Sequence, residues 1–280
     1  MKLAINFSRE AAGLVAAGTI PLDFFKSPDW PELIRDAVQY RPVAVHFGLD
    51  AGSGSLEDAD WEHVERWLRE TGTPYVNLHL AARPADYPEF PIDSVEPDHR
   101  EAVYAAVLRD VRAAAGRFGS QRIIVENAPY HGPEGRLLRA CVEPELIRRL
   151  VEETGVGLLL DISHARIAAH SIGMPERAYM EALPVDQTHE LHFTGLHRLN
   201  GRLADHLPVL ESDWPALAWV LENIQSGEWG RPWMLAFEYG GVGEKFAWRS
   251  DPVVIQEPVS YTHLRAHETV LDLVCRLLLE

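Results

Sequence analysis

The chain has 280 residues, 26 Lys and Arg against 42 Asp and Glu, and a formal net charge of −16. That length accommodates one α/β barrel, which takes roughly 250 residues, and a hydrophobic content of 46% supplies an ordinary globular core. The acidity argues against a nucleic-acid partner, because such a chain works against phosphate repulsion instead of gaining from counterion release. Two cysteines, Cys141 and Cys275, are too few for a disulfide framework, and their spacing matches no metal motif. The opening, Met1 to Asn6, turns polar too soon for a signal peptide, and no apolar run reaches the ~18 residues of a membrane helix. A cytoplasmic protein without membrane contact is expected.

Short apolar runs predict buried strands at Leu3 to Phe7, Leu22 to Phe25 and Val43 to Phe47. A helix with Trp61, Val64, Trp67 and Leu68 on one face stops at Gly72 and Pro74, ahead of a strand from Tyr75 to Leu80. The stripe Val103, Val107, Val111, Ala114 and Phe118 ends at Gly119, and a strand follows at Ile123 to Val125. Leu146, Ile147, Leu150 and Val151 mark a helix closed by Gly155, before strands at Val156 to Leu160 and Leu191 to Phe193. Ser212 or Asp213 caps a helix with Pro215 in its first turn and Leu217, Val220, Leu221 and Ile224 on one face. The last strand is Met234 to Phe237. Eight such units without a linker predict a single-domain (β/α)8 TIM barrel, an α/β fold, over residues 1–258. An open doubly wound sheet lacks its GxGxxG after the first strand. The stretch Ser260-Tyr261-Thr262-His263 and the Leu-rich end to Glu280 resemble a read-through tail, which would put a non-native segment, 259–280, in place of the eighth helix. The other reading is a genuine terminal amphipathic helix.

In such a barrel the reacting groups sit at the carboxyl ends of the strands. Those ends carry Asn6, Lys26, His46, His79, Glu126, Asp161, His192 and Glu238, six of them imidazoles or carboxylates. A single histidine there is ordinarily a hydrogen-bonded structural residue, and a single carboxylate caps the next helix. Together they form one mouth, where three acids would repel one another unless a cation sits among them. His and carboxylate ligation suits zinc, manganese or iron, and the donors suffice for two or three ions. His164, His197, Arg198, Asp205 and His206 follow the strand ends closely and are candidates for metal or substrate contact, as are Asn127 and Tyr239. His63, His99 and His189 lie on helix exteriors or ahead of a strand and are left out, with His263 and His267 of the tail.

These residues sit in recognisable runs: His-Phe-Gly-Leu-Asp-Ala-Gly-Ser-Gly from His46, Asn-Leu-His-Leu-Ala from Asn77 and Val-Glu-Asn-Ala-Pro from Val125. Leu-Leu-Leu-Asp-Ile-Ser-His from Leu158, Glu-Leu-His-Phe-Thr-Gly from Glu190 and Phe-Glu-Tyr-Gly-Gly from Phe237 complete the order. From about residue 40 to 245 the chain resembles the multinuclear non-haem iron-dependent oxidative enzymes, a branch of the xylose-isomerase-like TIM barrels. The resemblance implies two or three iron ions held by His46, His79, Glu126, Asp161, His192 and Glu238. It also implies oxidation of a peptide or small thiol, with a partner protein that recruits the peptide. Glu126, Glu238 and His164 would be the catalytic groups.

The chain departs from the family pattern at several places. Ser163 and His164 stand where asparagines are expected after Asp161, and Leu196 then His197 where a second histidine follows His192. Asp205-His206 is adjacent instead of spaced, and Tyr239 replaces an acid after Glu238. The pair Asp161 and His164 instead looks like the sugar isomerases and epimerases, which use one divalent ion such as manganese or zinc. There Glu126 and Glu238 would shuttle a proton and Arg198 would grip a substrate oxygen. A degenerate barrel serving as a metal-dependent binding module is the non-enzymatic alternative.

Overall fold

The alternation of inward and outward side chains along short strands decides where everything else goes. A computed structural model describes residues 1–241 and 249–259. Strand β1 (Lys2–Asn6) is followed by helix α1 (Arg9–Ala16), which Ser8 caps by accepting from Ala11 N–H at 3.1 Å. Then come β2 (Phe24–Pro28), α2 (Pro31–Ala37), β3 (Val43–His46), β4 (Asp50–Ala51), α3 (Trp61–Thr71), β5 (Val76–Leu80) and α4 (Pro97–Phe118). After them run β6 (Ile123–Glu126), α5 (Pro144–Thr154), β7 (Gly157–Asp161), α6 (Ile162–Ile172), α7 (Glu176–Ala182) and β8 (Thr188–Phe193). The hairpin β9 (Gly195–Leu199) and β10 (Arg202–Leu207), then α8 (Trp214–Ser226) and β11 (Met234–Phe237), complete the order. Helices α3 and α5 stop at Gly72 and Gly155, both at positive φ, where the sequence places their ends.

Nine strands form one parallel sheet in the order β3-β2-β1-β11-β8-β7-β6-β5-β4. Its two end strands are consecutive in the chain, separated only by Phe47, Gly48 and Leu49, so the sheet curls into a barrel of eight with its third strand broken. Across the break, side chains replace the ladder. Val45 N–H donates to Thr73 Oγ1 at 2.9 Å, and Phe47 N–H donates to Asn77 Oδ1 at 2.7 Å. Asn77 Nδ2 donates back to the Phe47 carbonyl at 3.0 Å. Replacing Asn77 by leucine should therefore cost about 2–4 kcal/mol, since two buried backbone groups lose their partners. Urea unfolding of the metal-free protein measures this, and an unchanged midpoint would mean the break is held elsewhere.

The outward-facing strand residues, such as Ile5, Phe25, Val45, Leu78, Val125, Leu160, Phe193 and Phe237, pack under the helices in the main core. A second, small cluster of Ala4, Ala44, Met234 and Ala236 lies on the opposite side of the strands, inside the barrel. Alternation then turns Asn6, His46, His79, Glu126, Asp161, His192 and Glu238 inward at the carboxyl ends. The second strand is displaced from its expected span, Leu22 to Phe25, and runs to Pro28, so Lys26 lies within it, paired in register with Asn6 and Ala44. Beyond β11 the chain is helical over 252–259, with Ile255 and Val259 buried. Residues 260–280, nearly all of the expected read-through tail, lie outside the described residues.

Candidate metal centre

Glu126 stands at the middle of the mouth, 1% exposed, with its two oxygens facing different partners. Its Oε2 lies 3.5 Å from His46 Nε2 and 3.4 Å from His79 Nε2, and those two nitrogens are 3.0 Å apart. Its Oε1 lies 3.4 Å from His164 Nδ1 and 3.7 Å from His192 Nδ1. His192 Nδ1 is also 3.2 Å from Glu238 Oε1 and 3.9 Å from Asp161 Oδ2. Donors bound ~2.1 Å from one ion at tetrahedral or octahedral angles stand about 3.0–3.5 Å apart, which is the spacing of the first triad. Asp161 does two jobs, since its Oδ1 caps α6 by accepting from His164 N–H at 2.7 Å while Oδ2 turns to the mouth.

A third group sits further out. His164 Nε2 is 3.1 Å from Asp205 Oδ2, and His164, Asp205 and His206 bring ligand atoms within 4.8 Å of one another. The expected long loop carrying Asp205 and His206 is instead the β9–β10 hairpin, turned by Asn200 and Gly201, both at positive φ. Its register shifts between Ala204 and Leu207, and His206 itself has φ 56. Such a bulge re-aims a side chain, and here it turns His206 toward the mouth. At the hairpin base a Cβ on Gly195 would fall 1.9 Å from the Pro208 carbonyl, so only glycine fits.

Four of the imidazoles are held in the manner of metal ligands, with one ring nitrogen anchored and the other turned to the donors. His79 Nδ1 lies 3.3 Å from the Leu49 carbonyl, His164 Nδ1 3.0 Å from that of Asn127 and His206 Nδ1 2.9 Å from that of Glu238. His192 Nε2 is 2.9 Å from Glu190 Oε1. Four buried atoms, His46 Nδ1, Glu126 Oε2, Asp161 Oδ2 and His192 Nδ1, have no hydrogen-bond partner. Buried polar atoms are rarely left so, and cations in the mouth would satisfy Glu126 Oε2, Asp161 Oδ2 and His192 Nδ1. The donor set fits a metal ion.

Charge interactions in the mouth are strong. Burial opposes ionisation of Glu126, but the His79, His192 and His46 imidazoles hold its carboxyl well below the usual range. Asp161 is pushed up by burial and by the charges of Glu238 and Glu126. Burial would lower both His192 and His164, yet Glu238 and its neighbours lift His192 to about 9, and Asp161, Asp205 and Glu126 lift His164 well above its ordinary value. Burial and the Lys26 charge instead keep His46 neutral.

Other expected residues are not brought in. His197 Nε2 meets the Pro208 carbonyl at 2.7 Å, and Arg198 is exposed, bonded to the Gly201 carbonyl and near His170. Asn127 is a clamp behind the mouth, donating to the Asp161 carbonyl and accepting from Asp161 N–H, both at 2.9 Å. Tyr239 is buried and stacked on Phe237. Glu190 was missed, although it stands two residues before His192 on the same strand face. Beside the donors opens a cavity of about 510 Å³ whose far wall includes Phe7, Pro28, Trp30 and Leu33.

The sequence profile of the RiPP precursor modification enzymes MbnB/TglH/ChrH matches residues 20–228. The chain belongs to that family. Among curated relatives, a UPF0276 protein of Paraburkholderia phytofirmans is 43% identical over 53 residues, 19% of this chain and 17% of its own. One of Caulobacter vibrioides is 27% identical over 165 residues, 55% of each chain, so the chain spans about half the length of that relative. One of Caulobacter sp. strain K31 is 26% identical over 209 residues, 70% of this chain and 71% of its own. Solved structures show the same barrel. A D-tagatose 3-epimerase-like protein superposes with TM-score 0.58 at 16% identity, covering 96% of this chain and 100% of its own. The IOLI protein with a bound zinc atom gives 0.58 at 14%, covering 93% and 96%. The chain thus shares a TIM-barrel fold with these structures. No helix among its described residues is long and apolar enough to cross a membrane.

Proposed function

We propose that the chain is a multinuclear iron enzyme that oxidises a thiol-bearing peptide or small thiol, with the peptide brought by a partner protein. The observation that carries this reading is the split reach of Glu126, one oxygen toward His46 and His79 and the other toward His192 and His164. A carboxylate so placed suits a bridge between neighbouring ions. His46, His79, Glu126, Asp161, His192 and Glu238 would hold the inner ions, and His164, Asp205 and His206 the outer one. Bound iron supplies Lewis acidity toward the thiol and electrons for dioxygen.

The chain's own residues do the rest. The cavity is large enough for a residue of a peptide, and Phe7, Pro28 and Leu33 give it apolar lining. The Glu190 carboxylate turns the His192 ring so that Nδ1 faces the mouth. An epimerase that uses one ion is the second reading. It rests on the way Glu126 Oε1 and Glu238 Oε1 both face His192 Nδ1, an arrangement suited to two acids flanking one bound substrate.

Metal analysis of protein purified without oxygen, followed by oxygen-electrode measurements with N-acetylcysteine amide, separates the two. Two or three irons per chain with thiol-dependent oxygen uptake are expected. One manganese or zinc, no uptake and turnover of a ketohexose would establish the epimerase instead. Metal uptake with neither oxygen uptake nor sugar turnover would leave the metal-dependent binding module.

A further inference from the structure

We infer that Lys26 is a positioning residue that sets the charge felt by an ion on the His192–Glu238 side of the mouth, and with it that ion's affinity and redox preference. The inference rests on the reading that the mouth holds metal ions. Lys26 is 2% exposed, in register with Asn6 and Ala44 and beside the interior cluster of Ala4, Ala44, Met234 and Ala236. Its ammonium donates to Glu190 Oε1 at 2.6 Å, lies 3.9 Å from Glu238 Oε1 and touches His192 Nε2. Glu190 accepts from Trp233 Nε1–H at 3.0 Å through its other oxygen and faces His192 Nε2 through the first.

An ammonium here acts on a bound cation in two ways that share a sign. It places positive charge close to a ligand carboxylate where water does not screen it. It also occupies the Glu190 carboxylate, which would otherwise polarise the His192 ring through Nε2–H and make Nδ1 a stronger donor. Both loosen the hold on a cation, and on a trivalent ion more than on a divalent one. Lys26 therefore favours the reduced ion. Mere filling of space beside Ala4 and Ala44 would demand length but no charge.

Lys26→Met keeps the length and removes the charge, whereas Lys26→Arg keeps the charge. Zinc titration of the metal-free variants and redox titration of the iron-loaded ones read the effect, with circular dichroism to establish folding. Lys26→Met is expected to bind zinc at least about tenfold more tightly and to oxidise its iron at lower potential, while Lys26→Arg stays within about threefold of the parent. Glu190→Gln, with Lys26 in place, should move both quantities the other way, and it carries the test where Lys26→Met does not fold. Parental zinc affinity and potential in a folded Lys26→Met, or in Glu190→Gln, would overturn the role given to Lys26. A parent protein that takes up neither zinc nor iron would overturn the reading of the mouth itself, and this inference with it.

Discussion

Glu126→Gln is expected to remove at least half of the bound metal while leaving the barrel folded. The side chain is the only one among the described residues with an oxygen toward each of the two inner donor sets. An amide keeps its shape but loses the charge and one of the two acceptor oxygens, so both sets lose a shared ligand. The metal-free variant should melt somewhat lower than the parent, because the His79, His192 and His46 imidazoles that hold the Glu126 carboxyl well below its usual range lose the charge they stabilise. Asp205→Asn offers the contrast, since it touches only the outer group and should cost one ion. Metal analysis and thermal melts of both variants check this, and parental metal content in Glu126→Gln would reject the bridge.

Metal uptake should be steeply dependent on pH. Without an ion, burial disfavours charge on His192, but the nearby Glu238 and Glu126 carboxylates and the bond from its Nε2 to Glu190 raise its pKa to about 9. That proton must leave before Nδ1 can coordinate, so each pH unit below about 9 lowers apparent affinity about tenfold per displaced proton. His164, raised in the same way, adds a second proton for the outer ion. Zinc affinity should thus fall at least ~100-fold from pH 8 to pH 6, and His192→Ala should reduce the slope by one proton. Competition titrations at three pH values measure it, and a flat profile would mean that His192 is not a ligand. The metal-free fold responds oppositely. His192 stabilises it below its unfolded value near 6.5, and this is lost as pH rises through about 9. Glu190, held down to about 2 by Lys26 and His192 against burial, stabilises it above about 4.5, and this is lost as pH falls through about 2.

Strand-end histidines and acids were legible in the sequence because a barrel strand states its inward face every second residue and stops at a polar one. His46, His79, Glu126, Asp161, His192 and Glu238 all stand where that rule puts them, at the ends of strands facing the mouth. Lys26 stood among the strand-end residues yet received no role, because Ser27 and Pro28 hid the true end of its strand. Glu190 needed only the same parity rule applied one layer deeper. The hairpin had a local signal in Asn200-Gly201, but polar residues on both its strands disguised it as a loop. That Arg198 and His197 stand apart from the donors depends on the direction of that ribbon, which no local pattern encodes. Asn77 looked like an ordinary member of a strand. Its bond to Phe47 follows from the break in the third strand, a tertiary fact.

The pairing of β1 with β11 joins Lys2 to Met234 and closes the cylinder across nearly the whole described chain. During synthesis the first strand finds β2 early but keeps its other edge bare until residues 234–237 leave the ribosome. Glu238, the last of the six inner donors, emerges with that strand. Five donors are thus present on an unfinished sheet, without the geometry to hold an ion. Ion capture then follows closure instead of templating it, and a growing chain stalled before Met234 would present an exposed strand edge for chaperones to cover.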